Sequence, residues 1–193
     1  VGVSVKHFAA NNQESNRIGD DAVISQRALR EIYLKGFEIA VREANPWTIM
    51  SSYNRLNGPF TQENRDLLTT ILRDEWGFKG IVMTDWTDTR NTKAQVHAGN
   101  DLMMPGRKAQ IDEIISKVKG GELAESDVNL CAKRILEYIV QTPHFKGYKF
   151  SNQPDLKAHA LVTRKSATEG MVLLKNEGQT LPMASVKKVA LFG

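Results

Sequence analysis

An α/β fold, built from repeated βα units on a parallel sheet, is what this chain predicts, on three observations. Short apolar runs alternate with amphipathic helical stretches along most of its 193 residues. Hydrophobic residues make up 41% of the chain, enough for the core of one ordinary domain and part of another. Polar and aromatic residues recur just after the apolar runs, at the strand ends where a parallel βα fold carries its active site.

Taken in order, Val1 to Val5 reads as a strand already under way that ends near Lys6-His7. A polar loop, Ala9 to Asp21, leads to a helix with Ser25 as N-cap and a 3.6-residue stripe of Leu29, Ile32, Tyr33, Gly36, Phe37, Ala40 and Val41. Asn45-Pro46 stops it. Trp47 to Ser52 is the second strand, and its following loop carries Tyr53, Asn54 and the turn formers Asn57-Gly58-Pro59. Thr61 is placed to cap a helix that buries Leu67, Leu68, Ile71 and Leu72 and ends at Gly77. Gly80 to Thr84 is the third strand, its Ile81-Val82-Met83 continuously apolar as in a strand covered on both faces. Asp85 and Trp86 stand at its carboxyl end.

A short helix over residues 94–98 precedes a fourth strand, Asp101 to Met104, closed by Pro105-Gly106. Two helices follow, one with Ile111, Ile114, Ile115 and Val118, the other capped by Ser126 and carrying Cys131 on its apolar side. From Thr142 to Pro154 the texture turns irregular, which marks a linker or domain boundary. A helix from Asp155 to about Lys175 and a strand from Lys188 to Gly193 complete the chain. Four such strands are half of an eight-stranded TIM-like barrel, or most of a small open sheet. Both ends read as cuts through folded structure.

Composition removes several classes of function. The formal net charge of +4 comes from 26 Lys and Arg scattered among 22 Asp and Glu, with no like-charge block or interleaved aromatics, so no nucleic-acid partner is expected. No stretch is long enough to span a membrane, and the first residues lack the charged opening of a signal peptide, so the compartment is left open. The one cysteine, Cys131, forms no internal disulfide and reads as a core thiol. No His/Cys/carboxylate cluster has metal-ligand spacing, and there is neither a Gly-x-Ser-x-Gly nor a phosphate-cradling loop, so no metal, cofactor, serine-hydrolase or P-loop chemistry is expected.

The strand-end residues suit work on sugars. An indole offers an apolar platform to sugar C–H faces while charged groups bond the hydroxyls. Lys6, His7 and Arg17 can donate such bonds, Asp85 can attack an anomeric carbon if ionised, and Tyr53 can orient it. The same residues have plainer readings: Asp85 as the cap of the next helix, Lys6 as a Schiff-base lysine, His7 as a strand-end histidine bonded to backbone. His97, His144 and His159 read as surface or packing residues. Glu14, Glu63 and Glu75 are rival acids, the last two better suited to helix surfaces.

Four segments in this order, Lys6-His7-Phe8-Ala9-Ala10-Asn11-Asn12-Gln13-Glu14, Met50-Ser51-Ser52-Tyr53-Asn54, Gly80-Ile81-Val82-Met83-Thr84-Asp85-Trp86 and Ala98-Gly99-Asn100-Asp101-Leu102-Met103-Met104-Pro105-Gly106, resemble glycoside hydrolase family 3. The likeness continues in Val172 to Gly178 and Leu181-Pro182, which resemble the approach to that family's second domain, an α/β sandwich. The resemblance implies the second half of a TIM-like (β/α)8 barrel over residues 1–142, followed by the first helix and strand of the sandwich domain, with a linker and connecting helix over 143–178 and the start of the sandwich over 179–193. It implies Asp85 as the nucleophile of a retaining β-glucosidase, with Lys6, His7 and Arg17 binding the sugar, Tyr53 beside the nucleophile, and Met50 and Trp86 lining the pocket. Its general acid/base, a Glu of the second domain, would lie downstream of Gly193, and further sugar-binding residues upstream of Val1.

General acid help is typically worth about 10² to 10⁴ in rate, so these residues alone are expected to turn over natural glycosides little. Because Lys6-His7-Phe8 is followed by Ala9-Ala10-Asn11 without a second histidine, the β-glucosidase type is favoured over the family's N-acetylglucosaminidase branch; β-xylosidase and α-L-arabinofuranosidase stay open. A reading of another class makes the segment a non-catalytic folding or assembly unit whose open sheet edges pair with the rest of the enzyme or with a second copy.

Overall fold

The computed structural model describes residues 2–86, 90–183 and 185–192. They divide into two units, Val1–Tyr148 and Lys149–Gly193. The strands of the first unit are β1 (Ser4–Phe8), β2 (Asp21–Ala22), β3 (Thr48–Ser51), β4 (Arg55–Leu56) and β5 (Ile81–Met83). β1, β3 and β5 lie parallel in that order, with Ser4 opposite Thr48 and Met50 opposite Met83, while β2 and β4 form a separate parallel pair. Consecutive parallel neighbours joined by helices are the βα pattern read from the sequence.

The expected fourth strand contracts to one parallel bridge, Met83 to Leu102. Backbone N–H groups of Asp101 and Leu102 donate to the Val82 carbonyl at 2.8 and 3.1 Å, and that of Thr84 donates to the Leu102 carbonyl at 3.0 Å. The Val82 N–H goes to the Asp101 carboxylate at 2.8 Å, so a side chain takes the place of the next ladder carbonyl. Pro105 then has no N–H with which to extend the ladder.

The first helical crossover alternates α turns, α1 (Gln26–Ala28) and α2 (Lys35–Ile39), with wider i→i+5 turns over Leu29–Tyr33 and Ala40–Ala44. Ser25 caps it as expected, its side chain accepting from the Ala28 N–H at 3.3 Å. The 3.6-residue stripe does not survive intact. Each wide turn adds a residue to the period, so Leu34 is fully buried whereas Ile32, placed in the stripe, is 69% exposed. Asn45 ends the crossover in the left-handed region at φ 47°.

Thr61 is not the cap of the next helix. It opens a short 3-10 turn, Thr61–Glu63, and its hydroxyl donates to the Ser52 carbonyl at 2.6 Å. Asn64 caps instead, accepting from the Leu67 N–H at 3.0 Å, and the helical stretch Asp66–Glu75 buries Leu67, Leu68, Ile71 and Leu72 as predicted. These meet Phe8, Ile49, Trp76 and Val82 in the core, where the Phe8 ring stands edge-on to Phe37 and Trp76 at 4.9 and 6.0 Å. Each fully buried Leu or Phe contributes about 1.5–3 kcal/mol, so this cluster fixes the sheet against its helices.

After β5 come α3 (Thr92–Ala98), α4 (Lys108–Lys119) and α5 (Glu125–Gln141). Gly99, at φ +96°, gives α3 the left-handed turn that ends it. Ser126 is not the α5 cap: the helix starts one residue earlier, and Glu125 and Asp127 in its first turn face the positive end of the helix dipole. Cys131 is buried with Val96 and Leu123, as a core thiol should be.

Asp101 is the polar anchor of this unit. Its carboxylate accepts from Arg73 at 2.5 Å, from Arg134 of α5 at 3.0 Å and from the Val82 N–H. Arg73 also donates to the Gly80 carbonyl at 3.0 Å. Burial pushes the Arg73 guanidinium down from its ordinary value, and the Asp101 charge opposes that shift.

In the second unit α6 (Leu156–Glu169) begins under an Asp155 cap that accepts from the Ala158 N–H at 3.0 Å. It stops at Gly170, short of Lys175. The strand expected from residue 188 finds no ladder partner among the described residues, and a strand without a neighbour has nowhere to place its N–H and C=O groups except water.

Two outcomes follow for the full-length protein. Asp101→Ala leaves two guanidinium groups facing an emptied, dry site and should cost about 3–5 kcal/mol in urea unfolding, whereas the double variant Asp101→Leu/Arg73→Met should lose less than the sum of the single changes. Cys131, pushed up to about 12 by burial first and by the Asp101 charge second, should resist iodoacetamide at pH 8 until the protein is unfolded. Because its folded value lies above its unfolded one, the stability it contributes is complete below about pH 8.5 and is lost as pH rises toward 12, a decline that Cys131→Ala should flatten.

Candidate active site

Parallel strands deliver their following residues to one edge of the sheet, and here that edge collects most of the residues singled out from sequence. β1 carries Lys6 and His7 just before its last residue, β3 carries Met50 and is followed by Tyr53, and β5 is followed by Asp85 and Trp86. The peptide bonds Lys6–His7 and Phe8–Ala9 are cis.

Asp85 is central. Its side chain is 11% exposed, one oxygen accepts from the Trp86 N–H at 2.7 Å, and the other lies 3.7 Å from His7 Nε2. The helix cap after β5 is Asn91, whose Oδ1 accepts from the Ala94 N–H at 3.0 Å, so Asp85 is not spent as a cap. Tyr53 donates its hydroxyl to the Trp86 carbonyl at 3.0 Å, which fixes the peptide next to the carboxylate. Arg17 sits over the Tyr53 ring at 5.0 Å while pairing with Glu14 at 2.8 Å. Trp86 is 41% exposed at this edge. Lys6 is exposed at the same edge and makes no ion pair among the described residues. Met50 is buried in β3, in register with Met83, so it backs the edge from within the sheet.

Polar groups that sequence reading passed over hold this edge in place. Ser52 donates to the Ala9 carbonyl at 3.2 Å, and Asn54 Nδ2 donates to the carbonyls of Ala9, Ala10 and Arg55 at 3.2, 3.4 and 2.9 Å. Gln62 donates to the Ser52 carbonyl at 3.3 Å and accepts from Gln95 of α3 at 3.1 Å, and Asn100 donates to the Gln62 carbonyl. Ser52, Asn54, Gln62, Gln95 and Asn100 are fully buried, and no periodicity announces a buried amide. Arg90, beyond the Asp85 loop, donates to the carbonyls of Ile18 and Tyr53 at 3.3 and 3.2 Å. The one signal that could have found it is a lone cation five positions after the strand-end carboxylate.

Two of the rival acids, Glu63 and Glu75, are engaged elsewhere. Two bonds of 2.6 and 2.9 Å from Arg30 hold the Glu75 carboxyl below the usual carboxylate range. Glu63 accepts from the Asn91 N–H at 3.0 Å. His97 is not without a partner: its Nδ1 lies 2.8 Å from Asp127 of α5. A cavity of about 290 Å³ between α4 and α5, walled by Val96, Ile111, Ile114, Val128 and Ile135, is apolar and holds the Cys131 thiol rather than Asp85. Among the described residues no group of His, Cys, Asp and Glu could hold a metal ion, and no helix is long and apolar enough to cross a membrane.

The comparisons agree on a family. The model described as glycosyl hydrolase family 3 N terminal domain matches residues 1–138. A thermostable beta-glucosidase B of Acetivibrio thermocellus is 43% identical over 194 residues, 100% of this chain and 25% of that protein. An exo-alpha-(1->6)-L-arabinopyranosidase of Bifidobacterium breve is 42% identical over 205 residues, 100% of this chain and 26% of that protein. The structure of beta-glucosidase 3B from Thermotoga neapolitana in complex with glucose shares 49% identity at a TM-score of 0.86 over 92% of this chain and 26% of that chain. The chain thus spans about a quarter of the length of these relatives.

Tyr53→Phe removes one neutral hydrogen bond and should cost about 0.5–1.5 kcal/mol in urea unfolding. Iodide should then quench Trp86 fluorescence more readily, because the Trp86 carbonyl loses its tie to Tyr53.

Proposed function

Because the chain belongs to glycosyl hydrolase family 3, we propose that its protein is a retaining β-glycosidase that removes terminal β-D-glucosyl residues, with Asp85 as nucleophile. The observation that carries the reading is the Asp85 carboxylate at the carboxyl edge of the sheet, one oxygen held by the Trp86 N–H and the other turned toward His7. A backbone donor on one oxygen fixes the group's orientation, which leaves the second oxygen as the attacking atom.

In this mechanism that oxygen bonds to the anomeric carbon as the aglycone oxygen leaves with a proton from an acid. The glycosyl ester is then opened by a water whose proton returns to the same group, and two inversions give retention. The paired carboxyl would stand about 5–5.5 Å from Asp85, and it is assigned to a part of the protein beyond these residues. Lys6, His7 and Arg17 bond the sugar hydroxyls, Trp86 and Met50 line the pocket, and Tyr53 holds the nucleophile's neighbour. The parallel order of β1, β3 and β5 with Leu102 at the next position supports the second half of a TIM-like barrel over residues 1–142. Residues 143–178 are then a linker and connecting helix, and 179–193 open the α/β sandwich.

The name of the Bifidobacterium relative favours a second glycone on the same framework, an L-arabinopyranoside, a ring of the same size without the hydroxymethyl carbon. Rates on aryl β-D-glucoside and aryl α-L-arabinopyranoside distinguish the two. The mechanism is tested by incubating the full-length protein with a 2-deoxy-2-fluoro β-glucoside and mapping the adduct by mass. Label on Asp85, and a loss of about 10⁴-fold or more in kcat/KM for Asp85→Ala, are expected. Label on any other residue overturns the assignment.

A further inference from the structure

We propose that Arg90 is a positioning residue that sets the sugar-binding edge by tying two loops to each other, an inference that rests on the glycosidase reading above. The two loops come from different strands. Residues 10–20 follow β1 and carry Arg17; residues 52–60 follow β3 and carry Tyr53. Neither loop belongs to the three-stranded sheet; β2, just past the first loop, pairs with β4 over two residues. The Asn54 amide on the Ala10 carbonyl, the Arg55 N–H on the Asp20 carbonyl at 2.8 Å and the Gly58 N–H on the Asp21 carboxylate at 3.1 Å join the loop ends, but none of these hydrogen bonds reaches residues 17 and 18.

Arg90 reaches both. One terminal nitrogen donates to the Ile18 carbonyl at 3.3 Å and to the Tyr53 carbonyl at 3.2 Å, and the guanidinium carbon lies over the Phe60 ring, 3.2 Å from its centre. Ile18 adjoins Arg17, and Tyr53 is the ring that Arg17 covers. A single planar cation therefore grips the backbone beside Arg17 and the backbone of Tyr53, on the side of the chain that bears Asp85. Arginine suits this place because its flat, delocalised charge can stack on an aromatic face while its edge donates; lysine can supply charge but not both.

The neighbouring contact shares the load. The Asn91 N–H donates to Glu63 at 3.0 Å, so the turn that carries Arg90 is itself fixed to the turn Thr61–Glu63. A cation anchored at its root and bonded at its tip can transmit position, whereas a freely swinging surface arginine cannot.

The test uses the full-length protein with Arg90→Met and Arg90→Lys, Met being close in length and Lys keeping the charge. Hydrogen exchange reads the tether without reference to activity: amides of residues 12–20 and 53–58 should lose protection in Arg90→Met while those of β1, β3 and β5 keep theirs. Kinetics on an aryl β-glucoside, normalised to sites titrated with the fluoro-glucoside, should show KM for the glucoside and the inhibition constant for glucose raised about tenfold or more, kcat per titrated site little changed, and Arg90→Lys intermediate. Unchanged exchange in both loops overturns the tether, and so does a fall in titratable sites at constant KM, which is what a merely structural role would give. A wild-type protein inactive on every glycoside, yet losing loop protection in Arg90→Met, would sink the glycosidase reading and leave the tether standing.

Discussion

The Asp101 carboxylate is the constraint on which the rest of this structure depends. It is withdrawn from water, so its charge must be met inside the protein, and it is met by groups from three elements. Arg73 brings the helical stretch Asp66–Glu75, Arg134 brings α5, and the Val82 N–H brings β5. An apolar contact would allow these elements to slide by a fraction of a turn. A buried ion with fixed donors does not, and that rigidity extends along β5 to the residue three positions past Val82, which is Asp85.

The edge itself is assembled by a different kind of interaction. Ser52 and Asn54 hold the carbonyls that follow β1, and Gln62, Gln95 and Asn100 join the turn after β4 to α3. These bonds are neutral and individually modest, but each satisfies a group that would be costly to bury alone. Above them stand the groups suited to sugar: an imidazole, a guanidinium, an indole face and one carboxylate oxygen. Positional stiffness comes from below and chemical character from the rim.

Much of this was legible in the chain. Ser25, Asn45 and Gly77 mark helix ends by local chemistry, and Ile81-Val82-Met83 reads as a covered strand because burial on two faces leaves no polar alternation. Asp85 stands out because a carboxylate and an indole meet where such a strand stops. What stayed hidden depends on contacts between distant residues. Ile32 falls out of its stripe because wide turns shift the helical period, and nothing in the local pattern announces them. Thr61 could cap a helix or bond Ser52, and only the packing of β3 decides. His97 and Asp127, Arg73 and Asp101, Arg90 and Ile18 are pairs separated by 28 or more positions in sequence. The strand foreseen from residue 188 shows the reverse limit: apolar alternation proposes a strand, but only a neighbour makes one.

The amides behind the edge carry a consequence for how this architecture can vary. Gln62, Gln95 and Asn100 hold no proton that comes or goes between acid and alkali, and no charge for salt to weaken. Their frame is therefore the same in vinegar as in seawater, while the groups above it answer to both. Selection for a new ligand, in nature or at the bench, can rewrite the loops one residue at a time and leave the scaffold they stand on untouched.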